Sequence, residues 1–168
     1  APCLPRWLTA TRPLRTPLVL ILGLAGLSVV AAAQRAPLLK YYVDGYGACA
    51  DFLEARAQPD TAKDTKVAIG EIGVFGFRTT MKVVDVAALV SPETLPWRNE
   101  GLSFIRMVQL SGSKYFVISD KAVTTNTYPA IAAVWIGNEE KAWFDGRCKK
   151  IAQFKDKHVY EVMDERAQ

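Results

Sequence analysis

Histidine is nearly missing from this chain: among its 168 residues there is one, His158. A metal site needs several ligands converging on one ion, and none cluster around His158 in the sequence, so it reads as a solvent-facing residue of the polar KDKH turn. Cysteine is scarce as well, with Cys3, Cys49 and Cys148 and no C-x-x-C pair. Neither H-E-x-x-H nor a Ser-His-Asp set occurs. With nucleophile, base and metal constellations all missing, no metal, no cofactor and no independent catalysis are expected.

A nucleotide loop is missing too. A dinucleotide turn needs G-x-G-x-x-G, because the backbone must approach a pyrophosphate at the mouth of a helix. In VAIGEIGVFGFRTTMKVVDV, residues 67–86, Gly70, Gly73 and Gly76 are spaced G-x-x-G-x-x-G instead. The stretch from Gly76 to Val83 leaves too little chain for a crossover helix, which needs a dozen residues or so. No Gly-Lys-Ser/Thr follows, which excludes a Walker loop. Repeats, low-complexity tracts and heptads are absent, which excludes solenoids and coiled coils.

Apolar sequence is abundant: 50% of residues are hydrophobic, with a mean hydropathy of +0.07. Thr16 to Gln34, TPLVLILGLAGLSVVAAAQ, carries no charge, and as a helix it would run roughly 30 Å at about 1.5 Å per residue, enough to cross a bilayer. Arg6, Arg12 and Arg15 precede it and only Arg35 and Lys40 soon follow, which orients the start toward the cytoplasm. A cleavable signal peptide is the competing reading, with Ala31, Ala32 and Ala33 as its small-residue site. Both readings export the remainder. The retained anchor is preferred, because its apolar run exceeds a usual signal core. The expected organisation is a cytoplasmic segment 1–15, a transmembrane helix 16–34 and an extracytoplasmic domain 35–168.

The net charge of +4 and pI near 9.0 owe much to the arginines flanking the span. Lysines and acids alternate elsewhere, as in KDKHVYEVMDER, so the surface reads as mixed and solvated, with no nucleic-acid partner. Cys3 would face a reducing side, whereas Cys49 and Cys148 would share an oxidising one. A disulfide between those two and a pair of separate buried thiols both remain open.

Tyr42, Tyr46, Cys49 and Leu53 recur at helical spacing, in a helix weakened by Gly45 and Gly47 and closed at Pro59-Asp60. VAIGEI and KVVDVAAL read as strands, and SPETLPWRNEG as a loop. Leu102, Ile105 and Val108 share one face of a helix that Gly112 would stop. KYFVISD is a strand covered on both sides. NTYPAIAAVWIG opens either a short helix, with Pro129 in its first turn, or a strand. CKKIAQF and HVYEVM make a terminal hairpin. Together they predict a small, three-layer-like α/β domain with a partly parallel sheet and a C-terminal β-hairpin.

VAIGEIGVFGF, KVVDVAALVSPE, a helix leading into KYFVIS, and IAQFKDKHVYEVMDER resemble the carboxy-terminal extracytoplasmic region of bacterial GT-C membrane glycosyltransferases, which use polyprenyl-phosphate sugars. The likeness spans most of residues 18–166, with G-E-I-G, V-V-D and S-P-E its most specific parts. It implies a periplasmic domain that follows a last transmembrane helix in the bacterial inner membrane. That family has glycine where this chain has Ala88. The multi-span core and acidic catalytic loop of such enzymes are not among these residues, so transfer chemistry is not expected here.

Glu71 and Asp85 lie at strand ends, where an open α/β sheet places ligand-binding groups, although each could instead bind a neighbouring loop's backbone. Trp97, Trp135 and Trp143 could stack on sugar rings, with core packing or interfacial anchoring as the duller role. Glu71, Arg78, Asp85 and Trp97 form the expected ligand edge. Two functions follow: a non-catalytic anchored domain that binds a cell-envelope glycan or a protein partner, or an accessory subunit of a larger inner-membrane complex, for example an energy-transducing one. The second would dock through its helix in the lipid bilayer, with Gly23 and Gly26 allowing close helix contact with a membrane-protein partner.

Overall fold

The computed structural model describes residues 35–164 apart from 58, 130 and 132. The expected span over 16–34, with Gly23 and Gly26, and the segment 1–15, with Cys3, lie outside the described residues. Among the described residues no helix is long and apolar enough to cross a membrane. The chain divides into two compact units, Ala1–Lys40 and Tyr41–Gln168. Residues 35–40 of the first are helical.

The second unit is α/β. A π-helical turn, Val43–Gly47, leads into α1, Ala48–Arg56, and the single turn α2, Pro59–Ala62. Then come β1, Lys66–Ile69; α3, Ile72–Arg78; and β2, Lys82–Asp85. A 3-10 turn, Pro92–Thr94, and α4, Leu95–Asn99, occupy the stretch expected to be a loop. Each of these two short pieces has a proline in its first turn, where the missing N–H costs nothing. After α5, Phe104–Ser111, follow β3, Tyr115–Ser119; α6, Asp120–Thr125; α7, Gly137–Arg147; β4, Cys148–Phe154; and β5, Lys157–Val162.

The strands form one mixed sheet in the order β2-β1-β3-β5-β4. β1 is parallel to both β2 and β3, while β5 runs antiparallel to β3 and β4, the last pair being the expected hairpin. A crossover helix does join β1 to β2, correcting the expectation from chain length. The connection spans residues 70–81, because it begins directly after Ile69 rather than at Gly76. Gly73 and Gly76 lie inside α3 with open space where a Cβ would stand, so they shape no phosphate loop.

Alternation along the strands assigns each side chain to a face. Val67, Ile69, Tyr115, Val117 and Val159 enter one buried cluster with Cys49, Leu53 and Phe75; Ala68, Val84, Phe116, Ile118 and Tyr160 enter another with Phe104, Ile105, Val108 and Phe144. The helices α1 and α3 thus cover one face, and α5 and α7 the other. Fully burying each large side chain contributes roughly 1.5–3 kcal/mol. Ser103 caps α5 by accepting from the Arg106 N–H, and Gly112 ends it at φ 63°.

His158 is buried, at 5% exposure, not solvent-facing. It stands in β5, opposite Ile118, on a strand covered on both faces. Burial, reinforced by Lys150, pushes its pKa down. Its ring Nε2 is 3.8 Å from an Asp120 oxygen, and neither ring nitrogen has a hydrogen-bond partner among the described residues. Cys49 and Cys148 are free thiols, which decides against the disulfide. They pack in the clusters on opposite faces of the sheet, and burial pushes each thiol up to about 12.

Ala88 adopts φ 58° in the turn after β2, where its N–H donates to the Asp85 carbonyl at 3.1 Å. The tight turn is therefore made without glycine. A left-handed alanine costs roughly 1–2 kcal/mol, while glycine's freedom in the unfolded chain offsets roughly 0.5–1 kcal/mol. Ala88→Gly is expected to stabilise the domain by about 0.5–1 kcal/mol, read as a higher urea midpoint at unchanged slope.

Candidate functional site

Chain direction creates a crevice between β1 and β3. After β1 the chain enters α3, whose Phe75 packs on one face of the sheet; after β3 it enters α6, whose Ala122 packs on the other. Neighbouring parallel strands whose continuations diverge in this way leave an opening beyond their carboxyl ends, where open α/β sheets bind ligands. A cavity of about 190 Å³ lies there, lined by Tyr41, Tyr42, Tyr46, Tyr128, Glu71 and Lys157, with Gly70, Ser119 and Pro129.

The wall from residues 41–46 is aromatic. Tyr42 stacks on Tyr46 with ring centroids 6.0 Å apart, and Tyr41 meets Tyr42 edge-on at 5.7 Å. Lys157 crosses beneath them, its ammonium 4.8 Å from the Tyr46 centroid and 5.1 Å from that of Tyr41. Gly45 makes room, since a Cβ there would stand 3.3 Å from the Lys157 Cγ.

The ammonium donates to the Tyr41 hydroxyl and to an Asp156 oxygen, both at 2.9 Å. The Tyr41 hydroxyl in turn donates to the Asp156 carboxylate, lying 2.7 and 2.8 Å from its two oxygens. Burial alone would push Lys157 down, but Tyr41 and Asp156 outweigh it and its pKa rises. Burial likewise opposes ionisation of Asp156, yet its bonds to Lys157 and Tyr41 bring its pKa down. The pair is therefore charged, neutralised internally and anchored to the turn between β4 and β5.

The opposite wall is Tyr128. Asn126 clamps its loop by accepting from the Val134 and Trp135 N–H groups at 3.1 and 2.9 Å and donating to the Trp135 carbonyl at 3.0 Å. The ring stacks on Phe104 at 5.3 Å. The described residues of 127–136 thus form an irregular connection, neither the short helix nor the strand expected; Tyr128 and Ile131 make one isolated bridge. At Gly70 the backbone passes so close that a Cβ would sit 2.3 Å from the Tyr128 hydroxyl oxygen. Burial above all, helped by the charge of Glu71, raises the pKa of both Tyr46 and Tyr128, so both hydroxyls stay protonated.

The structure does not gather the four expected ligand residues. Glu71 is exposed at the pocket, just before α3. Arg78, at the far end of α3, pairs with Asp51 of α1 at 2.6 Å. Asp85 is fully buried, its carboxylate accepting from the N–H groups of Ala87, Leu89 and Val90 at 2.9, 2.6 and 2.9 Å. Trp97 lines a different cavity with Lys66 and Lys82, the first residues of β1 and β2, at the opposite end of those strands. Trp135 and Trp143 pack against the core. Sequence reasoning missed the tyrosines and Lys157 as pocket residues; the Y-Y-V-D-G-Y run was an available signal for Tyr41, Tyr42 and Tyr46 alone.

A larger cavity, about 1050 Å³, opens near Lys114, Trp143, Arg147 and Glu161. Its Glu161 is already paired, with Lys114 at 4.0 Å and Arg56 at 3.2 Å. It also faces the amino end of β3, so the smaller crevice is the better candidate. Among the described residues no group of His, Cys, Asp and Glu could hold a metal ion.

A family model described as Domain of unknown function (DUF8728) matches residues 30–164, most of the chain, which therefore belongs to that family. No curated protein and no solved structure matches it.

The Tyr41 bridge makes stability depend on pH with a definite sign. The depressed Asp156 contributes stability above its unfolded value, about 3.9, that is lost as pH falls through its folded pKa. The raised Lys157 contributes stability below its unfolded value, about 10.4, that is lost as pH rises through its folded pKa. Tyr41→Phe is expected to cost about 1–2 kcal/mol at neutral pH, allowing for the partly exposed carboxylate, with the gap to the parent narrowing toward both extremes. Thermal melts across pH read this; a gap that ignores pH would refute the charged bridge.

Proposed function

We propose, with membership of the DUF8728 family as premise, that this chain is a non-catalytic, membrane-anchored periplasmic domain of the bacterial inner membrane. Like the carboxy-terminal region of the GT-C glycosyltransferases it resembles, it follows a membrane helix, here residues 16–34. Its pocket at the β1/β3 crevice binds a cell-envelope glycan.

One observation carries the reading: four tyrosines, a protruding carboxylate and an internally neutralised lysine converge on a cavity of about 190 Å³ at the carboxyl ends of two parallel strands. That volume is about six waters' worth, the scale of one sugar ring. A pyranose would lay an apolar face on Tyr42, direct hydroxyls to Glu71 and accept from the protonated tyrosines and the remaining Lys157 proton. Such contacts position a sugar and supply no nucleophile or general base.

A second reading, an accessory subunit docked on a membrane-protein partner, is favoured by Phe77, which is 92% exposed, and by the exposed Leu89 and Val90. Detergent extraction followed by size measurement separates the two: a lone small particle supports the glycan-binding reading, and a co-purifying complex the accessory one.

Calorimetric titration of the full chain with cell-envelope saccharides is expected to give saturable binding. Tyr42→Ala, at a half-buried position, is expected to weaken it roughly two- to tenfold, the worth of about 0.5–1.5 kcal/mol of ring contact. An absence of binding by every saccharide would overturn the reading.

A further inference from the structure

The pocket is not electrically neutral. Lys157 and Asp156 cancel at 2.9 Å, and the ammonium is nearly enclosed, with its side chain 7% exposed. Glu71 differs: it is exposed, and no described residue pairs with it. Its charge reaches the pocket's interior, since it contributes to the raised proton affinity of both Tyr46 and Tyr128, after burial as the main cause. The aromatic faces add to this, because a π-system presents its negative side to whatever lies over it. The fold already uses that attraction, with Lys157 over Tyr41 and Tyr46 and Lys155 5.7 Å from the Tyr41 centroid.

We infer that the pocket selects a cationic ligand group, the ammonium of an amino sugar, with Glu71 as its counter-charge and the tyrosines as its walls. This rests on the glycan-binding reading and specifies the sugar that the site prefers. A neutral sugar keeps the ring contacts but leaves Glu71 only hydroxyls. A uronic acid brings a second carboxylate to a site with no uncompensated positive charge among its described lining residues.

The test is titration of the full chain with glucosamine, glucose and glucuronate, which share one ring and carry positive, zero and negative charge, at low ionic strength and below the amine's pKa. Glucosamine is expected to bind about fivefold tighter than glucose, the scale of one solvent-exposed ion pair, and glucuronate weakest. Glu71→Gln should abolish the preference, so that glucosamine and glucose bind the variant equally. Salt at 1 M, where the screening length falls to about 3 Å, should do the same to the parent. Glucose binding with equal or tighter glucuronate, or a preference that survives Glu71→Gln, would overturn the charge assignment and spare the sugar site. Failure of all three sugars to bind would overturn both.

Discussion

Everything in this domain is organised around β3, a strand with no solvent face. Its residues alternate between two cores, Tyr115 and Val117 on one side, Phe116 and Ile118 on the other. A strand buried on both faces needs helices above and below, and its neighbours must satisfy both hydrogen-bonding edges. β1 does so in parallel and β5 antiparallel, so the sheet changes character at β3. The crevice follows from the same constraint: the chain leaves β1 toward one layer and β3 toward the other, and the opening between them lies where backbone ends and polar side chains collect.

Placing a lysine at that opening is costly unless its charge is matched. An ammonium removed from water loses several kcal/mol of solvation, and partner geometry decides whether this is recovered. Here the recovery is local: Asp156 is the adjacent residue in sequence, and Tyr41 bonds both members. The aliphatic stem of Lys157 fills the space that Gly45 leaves open. The glycine that weakens the first helix as a local element therefore serves the packing of the last strand. The π-helical turn at Val43–Gly47 belongs to the same arrangement, since such turns adjust the direction in which side chains emerge and recur at functional sites.

Elements with one strong local signal were legible in the sequence. KYFVIS is an uninterrupted apolar run and became β3; Gly112 stops α5 as expected; the alternation in CKKIAQF and HVYEVM marks the hairpin. Elements without such a signal were not. Helix α7, GNEEKAWFDGR, buries only Phe144 fully, so it carries no apolar stripe. His158 looked exposed because KDK precedes it, yet β5 begins at Lys157 and both its faces are covered. The pocket was the least legible feature, because its residues come from the first helical turns, the β1 and β3 ends, the connection after α6 and the start of β5. Glu71 was found because a strand end is visible in sequence; Lys157 was not, because nothing local distinguishes it from its neighbouring lysines.

The two acids at the ends of β1 and β2 show why a strand end alone does not make a ligand group. Asp85 has a short side chain and is followed by a turn whose N–H groups point back at it, so three backbone donors saturate its carboxylate. Ser91 and Thr94 complete the loop, accepting from the Asp85 N–H and donating to its carbonyl at 3.0 and 2.7 Å. The V-V-D and S-P-E segments are in this way two halves of one hydrogen-bonded turn, which supports the sheet's edge. Glu71 is followed directly by α3, whose first turn takes no side-chain cap from it. Its longer side chain stays in solvent beside the tyrosines. The two acids thus take opposite roles: Asp85, in register with Ile69, is consumed in building the fold, while Glu71, two residues past the end of β1, stays exposed beside the crevice.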